Sequence, residues 1–299
     1  MRSKPTPKTA RDLLKEIRAL LCKAGLESPE ADAERLVRGV AGVSRVELYA
    51  GARQLSGSAE RRIRTLAKRR AAGEPTAYLL GEADFYGMSL RVTSAVLIPR
   101  PETEQLVEAV LDLLHRSHPV SATQNHDKAP RILEIGTGSG CIAVCLTRER
   151  PDCKISAFDV SSRALQVARS NALRQGLAGR IHFQKSDVYS AIRRGRTLYD
   201  VIISNPPYIA AAAYRALPED VRREPRTALI AGRDGLDVIR RIVSGAPEHL
   251  ASGGVLALEI GQEQADAVSA LIRTTESFEE ARVRRDLAGR DRIVIARRK

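Results

Sequence analysis

The chain has 299 residues, 43% of them hydrophobic and 28% charged, enough to bury the cores of one large domain or, as expected here, two. A formal net charge of +13 suits an anionic partner or a ribosome-related setting, although the basic residues are scattered rather than gathered into one stripe. No apolar run reaches the length that spans a bilayer, so a membrane-embedded helical protein is excluded.

The N-terminal stretch MRSKPTPKTARDLLKEIRALL is basic, but charges interrupt its apolar residues and it lacks the pattern of a secretory signal. A cytoplasmic location is expected. The four cysteines agree with that: Cys22 stands apart, and Cys141, Cys145 and Cys153 match no zinc spacing. They read as small core residues in a reducing compartment, with no metal site.

Residues 9–72 predict a small helical domain. Leu13, Leu14, Ile17, Leu20 and Leu21 mark one face of a helix that stops at Gly25. A second helix opens at Ser28 as N-cap with Pro29 in its first turn. A third, ending at Gly73, carries the basic run RRIRTLAKRR, Arg61 to Arg70, which reads as a solvated face over Ile63, Leu66 and Ala67. Residues 84–100 alternate around Gly87 and suggest a hairpin linking two domains. We therefore divide the chain into 1–83, 84–100 and 101–299.

RPETEQLVEAVLDLLHRS predicts a helix with Pro101, Glu102 and Glu104 in its first turn, and the polar residues 118–130 a loop. Beyond Arg131 the strands RILEIG, KISAFDV, RIHFQKSD, YDVIISN and VLALEI alternate with helices over 139–149, 161–175 and 234–250. That alternation predicts an α/β fold with a doubly wound, mostly parallel sheet. EEARVRRD and DRIVIARRK predict a terminal antiparallel pair.

The stretch EIGTGSG, Glu134 to Gly140, follows the first of these strands and opens a helix. Gly136, Gly138 and Gly140 permit a sharp turn and close approach of a ligand. Cys141 stands where a dinucleotide fingerprint has its third glycine, and no phosphate-loop lysine follows. Asp159 and Asp187 are expected at the carboxyl ends of the next two strands, where open α/β sheets bind ligands. A nucleoside with a positive centre and no pyrophosphate would tolerate Glu134, Asp159 and Asp187; S-adenosylmethionine fits. Read singly, each motif is also compatible with ordinary turn glycines and strand-end acids.

SNPPYI, Ser204 to Ile209, ends the fourth strand beside the same crevice. Pro206 and Pro207 have no N–H, so this edge offers only acceptors. A planar –NH2 needs two acceptors at fixed angles while its nitrogen attacks a methyl. Asn205 offers its side-chain oxygen, Pro206 its carbonyl, and Tyr208 a face for a flat amide or base. Orientation and acceptor dipoles would then carry the catalysis without a strong base.

In order along the chain, LIPRPETEQLV, EIGTGSG, FDVSSRALQVARSNA, SDVYSAI, YDVIISNPPYI, REPRTAL, DGLDVIRRI, LEIG and DLAGRDRIV resemble the peptide chain release factor glutamine methyltransferases of the PrmC/HemK type. The resemblance implies a helical N-terminal domain, a linking hairpin, and a class I S-adenosylmethionine-dependent methyltransferase domain, Rossmann-like, with a mostly parallel seven-stranded sheet. It implies methylation of the glutamine of the Gly-Gly-Gln motif in class I release factors, with S-adenosylhomocysteine as product and no required nucleic-acid binding. Cofactor positions implied are Glu134, Gly136, Thr137, Gly138, Ser139, Gly140, Asp159, Asp187, Val188 and Asn205. Catalytic and substrate positions are Asn205, Pro206, Pro207 and Tyr208. Val188 stands where relatives often carry an aromatic residue against the adenine. Arg100, Glu102 and Glu104 suit either closure of the site or helix capping; Glu224 and Arg226 suit ordering of the NPPY loop or simple solvation. Three alternatives compete: adenine methylation of DNA or RNA, glutamine methylation of a ribosomal protein, and a non-catalytic nucleic-acid or ribosome adaptor.

Overall fold

The computed structural model describes residues 8–51, 53–117, 129–192 and 198–299; the loop expected at 118–130 lies mostly outside them. Two compact units emerge, residues 1–82 with 218–223, and residues 83–217 with 224–299.

The first unit is helical: α1 (Ala10–Lys23), α2 (Pro29–Ala41), α3 (Arg45–Ala50), α4 (Gly57–Ala71) and α5 (Thr76–Leu80). α1 begins on a capping box, in which the Thr9 hydroxyl accepts from the Asp12 N–H and the Asp12 carboxylate accepts from the Thr9 N–H. Ser28 stands at the N-cap of α2, but its backbone leaves the extended region and its side chain makes no cap bond. Leu13, Ile17 and Leu21 of α1 pack with Leu36 and Val37 of α2 and Ile63, Leu66 and Ala67 of α4. The basic run on α4 is a solvated face with one exception. Arg70 lies one turn past Leu66 and Ala67 on the buried side, where Asp32 (2.8 Å) and Asp220 (3.0 Å) pair with its guanidinium.

The second unit opens within strand β1 (Glu82–Phe85), at residue 83, and continues with β2 (Met88–Arg91), joined to β1 through Tyr86 (φ 49°) and Gly87 (φ 70°). Consecutive left-handed residues make the tight turn that matches strand twist. Phe85, Met88 and Leu90 belong to this unit's core, so the segment expected to link two domains is packed into one of them. Glu104 accepts from the Tyr86 N–H (2.7 Å), which ties the turn to α6 (Pro101–Ser117).

The rest is β3 (Arg131–Ile135), α7 (Cys141–Glu149), β4 (Lys154–Asp159), α8 (Ser162–Arg174), β5 (Ile181–Lys185) and β6 (Tyr199–Ser204). After α9 (Glu219–Arg222), which belongs to the first unit, come α10 (Arg226–Leu229), α11 (Asp237–His249), β7 (Leu250–Glu259), α12 (Ala265–Thr274), β8 (Arg282–Arg285) and β9 (Asp291–Arg297). The seven-stranded sheet runs β5-β4-β3-β6-β7-β9-β8, parallel from β5 to β7, with β9 antiparallel to both its neighbours. Its two faces are both apolar. Ile132, Ile155, Val201 and Ala257 face one core, and Leu133, Phe158, Ile202 and Leu256 face the other. Covered on both sides, the strands read as continuous apolar runs. The strand order reverses between β3 and β6, and a crevice opens there at the carboxyl ends. Asn171 of α8 fastens the hairpin to the glycine loop: its side chain donates to the carbonyls of Arg91 (2.9 Å) and Ser139 (2.8 Å) and accepts from the Arg91 N–H (2.7 Å).

Candidate active site

The glycine loop bridges β3 and α7, with φ 75°, 55° and 81° at Gly136, Gly138 and Gly140. Only the last is enforced by a neighbour, since a Cβ at Gly140 would lie 3.0 Å from that of Ala168. Nothing lies within 4 Å of a Cβ built on Gly138, so a ligand can approach the backbone there. The loop is held from β4: the N–H groups of Gly136 (2.8 Å) and Thr137 (2.9 Å) donate to the Phe158 carbonyl.

Asp159 ends β4 as expected. Its carboxylate already accepts from the N–H groups of Gly138 and Ser161, each at 2.8 Å. Burial raises its pKa, against both of these bonds. A carboxylate has about four lone-pair sites, so two remain for ligand hydroxyls.

Glu134 is the most unusual group. It is 1% exposed. Its Oε2 accepts from the Thr137 hydroxyl (2.7 Å) and the Ala143 N–H (3.1 Å), while Oε1 is buried with no partner among the described residues. Burial pushes its pKa up to about 8, assisted by the charge of Asp159. Ser139 Oγ is also buried, and among the described residues only the neighbouring Cys141 thiol offers it a partner. An orphaned atom such as Glu134 Oε1 is costly unless something occupies the cavity it faces. Both residues line the same cavity, along with Asp159, Val188 and Asn205.

The third expected acid behaves differently. β5 ends at Lys185, and Asp187 lies beyond it in an exposed turn, paired with Arg241 of α11 (2.8 Å) at the cavity wall. Val188 also lines the cavity, with φ 52°, a left-handed conformation that costs a β-branched residue about 1–3 kcal/mol. Ser186 holds it by donating to its carbonyl (2.9 Å). The nearest aromatic residue in sequence, Tyr189, stacks on His249 and donates to the Ile242 carbonyl (2.8 Å).

Asn205 and Pro207 line the cavity; Pro206 is buried, and Tyr208 packs on the second core. The lip is fixed on several sides. Ser204 donates to the Ile135 carbonyl (2.7 Å), and the Gln264 side chain donates to the Tyr208 carbonyl (3.0 Å). Ile209 exchanges backbone bonds with Leu229 and Ala231. Asn205 Nδ2 donates to Thr103 Oγ1 (2.9 Å), which leaves Oδ1 as the amide's acceptor.

Several residues at this crevice escaped the sequence reading. Thr103 and Glu259 sit behind Asn205; Arg241 faces Asp187. Glu224 is 4% exposed, pairs with Arg100 and accepts from the Ile98 N–H (2.9 Å). Glu224 is therefore buried and paired, not solvated, and its partner is Arg100. Arg226 instead lies over the Tyr214 ring at 4.7 Å. The buried thiols of Cys145 and Cys153 are pushed up to about 12 by burial, in keeping with core packing.

A reversed strand order, a glycine turn at the switch point and a donor-free lip beside it define an α/β methyltransferase. A family model described as "Methyltransferase small domain" matches residues 120–223, and one described as "PrmC N-terminal domain" matches 12–81. The release factor glutamine methyltransferase of Moorella thermoacetica is 41% identical over 97% of this chain and 99% of its own length. That of Rhodopirellula baltica is 37% identical over 98% and 97%. This chain belongs to the release factor glutamine methyltransferase family. Among solved structures, the Thermus thermophilus 16S rRNA N2 G1207 methyltransferase in complex with AdoMet and guanosine superposes with a TM-score of 0.51 at 19% identity, over 73% of this chain and 50% of that one; it supports the fold alone.

Proposed function

We propose that this enzyme methylates the side-chain amide nitrogen of the glutamine in the Gly-Gly-Gln motif of class I release factors, using S-adenosylmethionine. The observation that carries the reading is the lip at Asn205. Its carboxamide is already committed as a donor to Thr103, so its oxygen is presented as an acceptor beside a cavity containing a buried carboxylate oxygen with no partner among the described residues.

The cofactor supplies a methyl group activated on a sulfonium. The residues present fit it: Glu134 Oε1 offers a partner for a cationic donor, Asp159 keeps lone pairs for ribose hydroxyls, and the backbone at Gly138 is open to close approach. Thr137, Ser139 and Val188 complete the walls, and Asp187 stands at the rim.

An amide nitrogen is a poor nucleophile because its lone pair is delocalised into the carbonyl. The Asn205 oxygen and the Pro206 carbonyl would each accept one of its hydrogens, holding the nitrogen in line with the methyl. Two prolines ensure that no backbone N–H competes for those acceptors. Positive charge developing on the nitrogen is stabilised by the same dipoles, and a proton then leaves to solvent. Tyr208 cannot act as a ready base, since burial pushes its phenol up to about 12.

With tritiated cofactor, label should enter a purified release factor and vanish when its motif glutamine is replaced. Label entering an oligonucleotide while the release factor stays cold would instead favour adenine methylation. Asn205→Ala should reduce turnover far more than cofactor affinity, whereas Asp159→Ala should weaken cofactor binding first.

A further inference from the structure

Behind the lip lies a second layer of polar groups that the reaction has not yet used. Thr103, in the first turn of α6, is 2% exposed, and Glu259, the last residue of β7, is 1% exposed. The Thr103 hydroxyl donates to Glu259 Oε2 (2.7 Å) and accepts from Asn205 Nδ2 (2.9 Å). One side chain comes from α6, one from the end of β7 and one from the residue that follows β6, and the three meet in a single line that runs from the partly buried Asn205 to the buried Glu259.

The order of donors in that line is not arbitrary. A primary carboxamide can face a hydroxyl with either end, because a hydroxyl both donates and accepts. With Asn205 and Thr103 alone, two arrangements compete: Nδ2 donating to the hydroxyl, or the hydroxyl donating to Oδ1. The second would consume the oxygen that a substrate amide needs and turn the –NH2 toward the cavity. An ionised carboxylate only accepts. Burial pushes Glu259 up to about 7, against the Thr103 bond and the charge of Arg292; in its ionised form it takes the single Thr103 proton at Oε2, the hydroxyl is left with lone pairs toward Asn205, and the carboxamide must present Nδ2 inward and Oδ1 outward.

We propose that Thr103 and Glu259 are positioning residues that fix which way the Asn205 carboxamide faces, and so create the acceptor for the substrate's –NH2. This rests on the acceptor role of Asn205 proposed above. Thr103 lines the cavity beside Asn205, but its hydroxyl bonds Glu259 and Asn205, so the pair acts through Asn205.

Thr103→Val keeps the shape and removes the hydroxyl. Single-turnover methylation of a release factor, with cofactor Kd and substrate KM measured separately, should show the rate down by about ten- to a hundredfold, the scale typical of losing an orienting partner. Cofactor Kd should stay within about twofold, since the residues assigned to the cofactor are intact. Thr103→Ser restores the hydroxyl and should recover most of the lost rate. Glu259→Gln offers an –NH2 that can turn toward Thr103, permits the opposite sense, and should slow the step by at least about threefold with Kd unchanged. A purely structural role would lower the melting temperature and raise Kd together, and would not be rescued by serine. Full activity in Thr103→Val, with Asn205→Ala inactive, would overturn the relay while leaving the acceptor reading standing. A serine variant as slow as the valine one would overturn it too. Full turnover in Asn205→Ala would sink the acceptor reading itself.

Discussion

Glu134 is a buried carboxyl held far from its ordinary titration range. Its pKa, pushed up to about 8 by burial, means that at pH 7 the ligand-free protein holds a proton there that the unfolded chain has released. The unfolded chain loses that proton near the ordinary carboxyl value of 4.5. The group's contribution to stability is thus most favourable below that value and declines as pH rises toward 8. Binding a cation beside Oε1 must expel the proton, so cofactor affinity should increase with pH. Between pH 6 and 7 we expect a gain of about ninefold, accompanied by proton release in calorimetry run in buffers of different ionisation enthalpy. Glu134→Gln should bind more weakly and with a flatter pH profile. An unchanged profile in that variant would place the titrating group elsewhere. Val188 makes the opposite point, because its left-handed backbone is a conformation that its side chain disfavours and that residue type gives no hint of.

Among elements, the turn that precedes α11 shows why DGL belongs with NPPY. A Cβ at Gly235 would lie 2.2 Å from the Tyr208 carbonyl oxygen, and φ there is 80°. Gly235→Ala should therefore displace the lip and reduce turnover by roughly tenfold or more, since small misplacements at a reacting centre are expensive. Gly176→Ala is the control: φ is 73°, but nothing lies within 4 Å, so it should cost about 1 kcal/mol of stability and leave turnover alone. Equal loss of turnover in both would show that strain, and not collision with the lip, is responsible. The contrast also explains what the sequence could disclose. The glycine turn and the two prolines were legible because residue type itself dictates backbone freedom or the absence of a donor. Asp159 was legible because strand ends follow from apolar runs. Thr103 was not, because its partners Asn205 and Glu259 lie 102 and 156 residues away and only the folded sheet brings them together. Asp187 was placed at a strand end, but β5 stops earlier because Ser186 and Ser190 bend the following residues into a turn through bonds to Val188 and Asp187.

For the molecule as a whole, the discontinuous first unit sets a test. Arg70 joins Asp32, from the N-terminal helices, to Asp220, from a segment made much later in the chain. Breaking a buried pair strands the remaining charges, so Arg70→Met should destabilise by about 3 kcal/mol in denaturant unfolding. Arg61→Met, on the solvated side of the same helix, should change stability by less than about 0.5 kcal/mol. Comparable losses would mean that the paired carboxylates contribute nothing. The excess of basic residues, 49 against 36 acidic, supplies many such exposed positions where substitution is expected to be neutral.

Strand β9 lies between β7 and β8, antiparallel to each. While the chain is being synthesised, β7 thus waits with an unsatisfied edge until residues 291–297 have left the ribosome. Any product cut short upstream of Asp291 would carry that edge, apolar at Leu256 and Leu258, as a template for pairing with other chains. Premature termination of this polypeptide should accordingly yield aggregates and not a smaller working enzyme, a liability to be seen in the sedimentation of nascent fragments.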